Sequence, residues 1–113
     1  MANELITINN ELTRLIAALR AAIVGYETAI KDAAEKRSTY DIEWAKAFLS
    51  VGEGTQKQRE SEAVLIVAQF MREARIAEAT RDAYRERLRA IQTTISVQQS
   101  MLRHLEETLP SNF

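Results

Sequence analysis

From Ala63 to Leu109, fourteen positions spaced alternately four and three residues apart form a seam, and twelve of them are apolar. In order they are Ala63, Val67, Phe70, Ala74, Ala77, Arg81, Tyr84, Leu88, Ile91, Ile95, Gln98, Leu102, Leu105 and Leu109. A spacing that averages 3.5 residues keeps one stripe facing a neighbouring helix along its whole length. The pattern predicts a helix packed lengthwise against another. Seventeen alanines, with abundant Glu and Arg, favour helix and leave little that favours sheet.

The first half follows the same logic. Leu5, Ile8, Leu12, Leu15, Leu19, Ala22 and Tyr26 keep the three-four spacing, which then skips four residues to Ile30 and resumes through Ala33, Arg37, Tyr40, Trp44, Ala47 and Val51. Such a stutter is expected to unwind the supercoil locally. Gly25 stands beside it. A glycine inside a helix costs roughly 1 kcal/mol relative to alanine, so it points to a bend or a close backbone approach.

Between the halves, Gly52 suits the left-handed position that ends a helix, and Thr55 with Gln58 forms a capping box that starts the next. A connection this short makes the two helices antiparallel neighbours, and Pro110 stops the second. The expected fold is all-α: a single-domain long antiparallel helical hairpin, a coiled coil, with helices near 4–51 and 56–109 and a turn at 52–55. It is expected to assemble into a multi-helix bundle.

Folding at the turn sets opposite each other residues whose numbers sum to about 112. Tyr40, Trp44, Phe48 and Leu49 then meet Val64 to Met71. Ala29, Ala33 and Ala34 face Ala77, Ala79 and Ala83, and Leu5 to Leu19 meet Ile91 to Leu109. Ile6, Ile16, Ile23, Leu65, Ile66, Met71 and Ile76 fall beside the seams rather than in them. Burying each such side chain is worth about 1.5–3 kcal/mol, which a lone hairpin forgoes. These residues are the expected interface of a homo-oligomer, a dimer in preference to a tetramer.

Chemistry leaves few candidates. His104 is the sole histidine and the residue three before it is Met101, so the Glu-x-x-His pairs of a di-iron bundle are missing and zinc ligation is unsupported. Ser100 and His104 lie one turn apart, but no acid on the same helix is placed to orient the imidazole. The Gly52-Glu53-Gly54-Thr55 turn lacks the Gly-Lys-Ser/Thr ending of a phosphate loop and no strand precedes it. No catalytic residue, metal site or cofactor is expected, and the chain reads as a non-enzyme.

Arg81, Arg85 and Arg89 recur every four residues as a ridge that could hold phosphates or pair with carboxylates. The hairpin register sets Glu27 near Arg85 and Asp32 near Arg81, so internal pairing is the expectation, with Arg89 the better ligand candidate. Gln98 interrupts the apolar seam and is expected to set helix register. A net charge of −1 gives no general attraction to nucleic acid or acidic membranes. With no cysteine, no leader-like N-terminus and no apolar run of membrane-spanning length, a cytoplasmic protein without membrane contact is expected.

Tyr40 and Ala45-Lys46-Ala47-Phe48 before the turn, Gly54-Thr55 and Arg59 after it, and Gln98-Gln99-Ser100 with Arg103 carry a resemblance to small uncharacterised helical accessory proteins encoded by bacteriophages. The resemblance implies a host bacterial cytoplasm and a role in assembling or modulating another protein, such as one acting on DNA. The leading expectation is a non-enzymatic oligomeric interaction protein that binds a host or phage protein. Two alternatives stand beside it. One is a nucleic-acid accessory protein of recombination or replication using the arginine ridge; the other is an oligomer that encloses a small anionic ligand.

Overall fold

A computed structural model describes residues 2–108 and, for Ala2, the backbone alone. The chain is an all-α antiparallel helical hairpin with three helices in order: α1 (Ala2–Ser50), α2 (Gln56–Ile66) and α3 (Ala68–Glu107). No strand occurs among the described residues. The seam position Leu109 and the helix stop at Pro110 lie outside them. Two compact units divide the hairpin: residues 2–25 with 84–108, and Tyr26–Ala83.

In the unit Tyr26–Ala83 the turn is built largely as the sequence requires. Gln58 N–H donates to Thr55 Oγ1 at 3.2 Å, and Thr55 N–H donates to Gln58 Oε1 at 3.0 Å, which closes the capping box. The left-handed residue is Gly54 (φ 111°), not the expected Gly52. Arg59 ends α1 from outside it. Its Nε donates to the Val51 carbonyl at 3.0 Å and its Nη2 to the Phe48 carbonyl at 3.3 Å, while its guanidinium lies 4.4 Å from the Phe48 ring centroid. These carbonyls have no partner within their own helix end, so a cation there also meets the negative end of the helix dipole.

Ala47, Ala63 and Val67 form the core beside the turn, with Tyr40, Trp44, Phe48 and Phe70 packed around it. Trp44 and Phe48 stack at 5.2 Å between centroids. Leu49, expected in this zone, is exposed instead, as are Val64, Leu65 and Ile66. The second helix is divided at Val67, which ends α2 with φ −100° and ψ 10°. Backbone bonds continue on both sides, from Val67 N–H to the Ala63 carbonyl at 3.1 Å and from Met71 N–H to the Val67 carbonyl at 3.0 Å. The run Val64-Leu65-Ile66-Val67 carries three β-branched residues, whose restricted χ1 weakens helix at this point.

The seam of the second half holds throughout: each described position from Ala63 to Leu105 is buried or half-buried. The stutter in the first half does not occur. Ala29 is buried and Ile30 is 43% exposed, and the regular heptad continues through Ala33, Lys36, Tyr40, Glu43 and Ala47. Arg37, placed in the seam by the stutter, is exposed; its guanidinium pairs with Glu78 at 2.5 Å and lies 5.4 Å from the Tyr40 ring centroid. In the alanine zone Ala29, Ala33, Ala74 and Ala77 are buried, whereas Ala34, Ala79 and Ala83 face outward.

In the unit of residues 2–25 with 84–108, Ile8, Leu15 and Ala22 are buried. Leu88, Ile91, Ile95, Gln98, Leu102 and Leu105 are half-buried. Gly25 lies against Tyr84, so the close approach, rather than a bend, is what this glycine serves; α1 continues through it.

Candidate interaction surfaces

The buried core is small in kind as well as in number. Among the described residues, seven of its ten members are alanine, leaving Ile8, Leu15 and Val67 as the buried larger aliphatics. Against this, six of the seven side chains expected beside the seams are exposed: Ile6 58%, Ile16 42%, Ile23 41%, Leu65 78%, Ile66 58% and Ile76 60%. Met71 is half-buried. Val24, Ile30, Ile42, Leu49, Val64, Val97 and Met101 are further exposed large apolar residues. Heptad counting from the true seam would have found Ile30, because Ile16, Ile23 and Ile30 each follow a seam residue (Leu15, Ala22 and Ala29) and recur every seven.

Each unit has a concavity that takes in a few of these side chains. On α3, Met71 and Ile76 line a shallow depression with Ala68, Ala79 and the stems of Arg72 and Arg75. In the unit of residues 2–25 with 84–108, a groove of about 840 Å³ runs between the start of α1 and the end of α3. Ile8, Val97, Met101 and Leu105 supply its apolar surface. Thr7, Thr93, Ser96, Ser100 and His104 supply hydroxyls and an imidazole, with Asn3 and Glu4 at one end. Ser100 and His104 thus share a wall of the groove, and no other ionisable lining group but Glu4 stands with them. Val97 is not singled out by the sequence pattern, and Met101 enters there only as the residue three before His104.

Two arginines of the ridge are engaged with carboxylates. Arg81 Nε donates to Asp82 Oδ1 at 3.1 Å, on the next residue, rather than to the expected Asp32. Arg89 Nη1 donates to Glu86 Oε1 at 3.1 Å, one turn away, and Arg85 is engaged as well. Neighbours on the same helix offer a shorter route to neutrality than a side chain across the hairpin. Elsewhere, Arg14 grips Glu11 through Nε at 3.0 Å and Nη2 at 2.5 Å. That hydrogen bond holds the Glu11 carboxyl below its ordinary range and raises Arg14. Gln98 is half-buried in the seam.

Among the described residues, no three His, Cys, Asp or Glu side chains cluster as metal ligands. No described helix is long and apolar enough to cross a membrane. No protein-family model, curated protein or solved structure matches this chain.

Proposed function

We propose that this chain is a non-enzymatic helical interaction protein that acts as a homo-oligomer, a dimer in preference to a tetramer, and presents the assembled bundle to a protein partner. One observation carries the reading: among the described residues, thirteen large apolar side chains stand more than 40% exposed around a core made mostly of alanine. Burying each of them against a second copy is worth about 1.5–3 kcal/mol, which a lone hairpin forgoes. A second hairpin laid alongside would cover such side chains as four-helix bundles do. The phage resemblance extends the proposal to an accessory factor acting in the cytoplasm of a bacterial host.

The arginine ridge gives less support to a nucleic-acid role or to capture of a small anion, because Arg81 and Arg89 already hold carboxylates and would have to exchange them for phosphates. The test is sedimentation velocity across micromolar concentrations. A dimer is expected, and Ile16→Glu with Ile23→Glu should dissociate it, since both charges would otherwise be buried unpaired. A monomer at every concentration overturns the reading. Affinity for nucleic acid that falls steeply with salt and vanishes on replacing Arg81, Arg85 and Arg89 together would establish the ridge instead.

A further inference from the structure

We infer that the outward face of α3 between Ala68 and Ala83 is the docking site for an amphipathic helix of a partner protein, one whose apolar stripe is flanked by carboxylates. The inference rests on the reading of this chain as an interaction protein and names the chemistry of its partner. It moves Met71 and Ile76 from the interface expected between copies to a surface that meets another protein.

Spacing defines the face. Ala68, Arg72, Ile76, Ala79 and Ala83 follow one another at intervals of three or four residues, so they share one side of the helix, with Arg75 on its margin. All six are exposed. The seam residues Ala74, Ala77 and Arg81 lie about half a turn away, so the hairpin's own first helix does not cover this side. A solvated helix face ordinarily carries mixed polar and charged side chains. This one has three alanines, an isoleucine that is 60% exposed, and two charges of the same sign. Low side chains let another helix axis come close. Met71 and Ile76, with the stems of Arg72 and Arg75, frame a depression that can take a large apolar side chain from it.

Charge decides what covers the face. No carboxylate lies three or four residues from Arg72, where the chain has Ala68, Gln69, Arg75 and Ile76. Arg75 has one at that spacing, Glu78, and Arg37 of α1 holds it. Among the described residues, neither Arg72 nor Arg75 has an ion pair or hydrogen bond. Arg81 and Arg89 on the same helix, by contrast, hold Asp82 and Glu86. Like charges one turn apart repel each other. An Asp or Glu beside the apolar stripe of an incoming helix relieves that repulsion and fills the guanidinium forks.

Other occupants fit less well. A second copy offering the same face would bring four guanidiniums together with no acid among them. A nucleic-acid backbone satisfies the arginines but leaves Met71 and Ile76 unmatched. An anionic bilayer needs more large apolar side chains than this face supplies. Arg20 and Arg87 are exposed and likewise unpaired, but they border neither this depression nor the groove at the start of α1, so they serve as controls.

The test is a displayed library of single helices with randomised surface positions, selected on the full chain. Enriched helices should carry Asp or Glu one turn apart beside an apolar stripe. Arg72→Glu with Arg75→Glu should weaken a selected helix about a hundredfold or more while helical circular dichroism is retained. Lys in place of that helix's acids should restore binding to this variant. Arg20→Glu with Arg87→Glu should leave the affinity nearly unchanged. Enriched helices that lack acids, or that bind the Arg72→Glu, Arg75→Glu variant as tightly as wild type, overturn the assignment. Duplex DNA or phosphatidylserine vesicles that bind through the same two arginines, where no helix is enriched, overturn it as well. The Ile16→Glu, Ile23→Glu variant should bind the selected helix as wild type does. A wild-type monomer that binds the selected helix overturns the dimer alone, and a dimer that enriches no helix overturns this docking site alone.

Discussion

Tyr84 occupies the space a side chain at Gly25 would need: a Cβ built there would stand 2.8 Å from the ring's Cζ and 3.0 Å from its Oη. Replacing a helical glycine by alanine ordinarily gains about 1 kcal/mol. Here Gly25→Ala should instead lower stability, by about 1–3 kcal/mol for an overpacked site, less what the ring recovers by swinging away. In a Tyr84→Leu background the same substitution should become stabilising. Urea denaturation of the four proteins of this cycle checks it, and the change of sign is the diagnostic result.

Arg59 joins the start of α2 to the end of α1, and two interactions make it hard to replace. Its fork reaches the Val51 and Phe48 carbonyls, and its flat face covers the Phe48 ring. Arg59→Ala should destabilise by about 1.5–3 kcal/mol, as expected for lost hydrogen bonds from a charged donor. Arg59→Lys should recover only a small part, because an ammonium can neither fork nor stack in the same way. Thermal melts of the three proteins check the order.

The hairpin was legible in the sequence because its seam is a matter of spacing, and spacing survives in the structure from Ala63 to Leu105. The imagined stutter shows where that reading fails. Ala29, Lys36 and Glu43 occupy true seam positions yet look weak or polar. Ile30 looks like core but stands on the flank. Counting apolarity rewards large side chains, whereas closely approaching helices require small ones. The exposed flank residues Ile6, Ile16, Ile23, Leu65, Ile66 and Ile76 were readable for the same geometric reason. The groove was not, since Thr7, Ser96 and Ser100 resemble solvated helix surface until α1 and α3 are set side by side. The division at Val67 was also hidden, because the seam spacing continues across it.

Glu11 and Arg14 give a pH signature. The Arg14 hydrogen bond lowers the Glu11 pKa in the folded chain from its ordinary value of 4.5. A carboxylate lowered in this way adds stability above its unfolded pKa and loses it as pH falls through the folded value. Wild type should therefore be slightly more stable than Arg14→Gln at neutral pH, with the difference shrinking once pH drops below the ordinary carboxylate range and vanishing as Glu11 becomes protonated in the folded chain. Paired melts across that range check it, and added salt should shrink the difference at neutral pH because both groups face solvent.

Val67 sets two effects against each other. Alanine is the better helix former by about 0.5 kcal/mol, which favours closing the break between α2 and α3. Yet Val67 is 1% exposed and sits in the core with Ala47 and Ala63. Removing its two methyl groups forfeits about 0.8 kcal/mol for each buried carbon, before any cavity term. Burial outweighs propensity, so Val67→Ala should destabilise by about 1–2 kcal/mol. Because Tyr40, Trp44, Phe48 and Phe70 surround this core, the loss should also appear as a changed tryptophan emission from Trp44. Hydrogen exchange gives the separate local answer. If the packing of Val67 holds the irregular turn open, amides around Ala68 should become more protected in Val67→Ala even as global stability falls. Unchanged protection there would assign the break to the β-branched run Val64-Leu65-Ile66 instead.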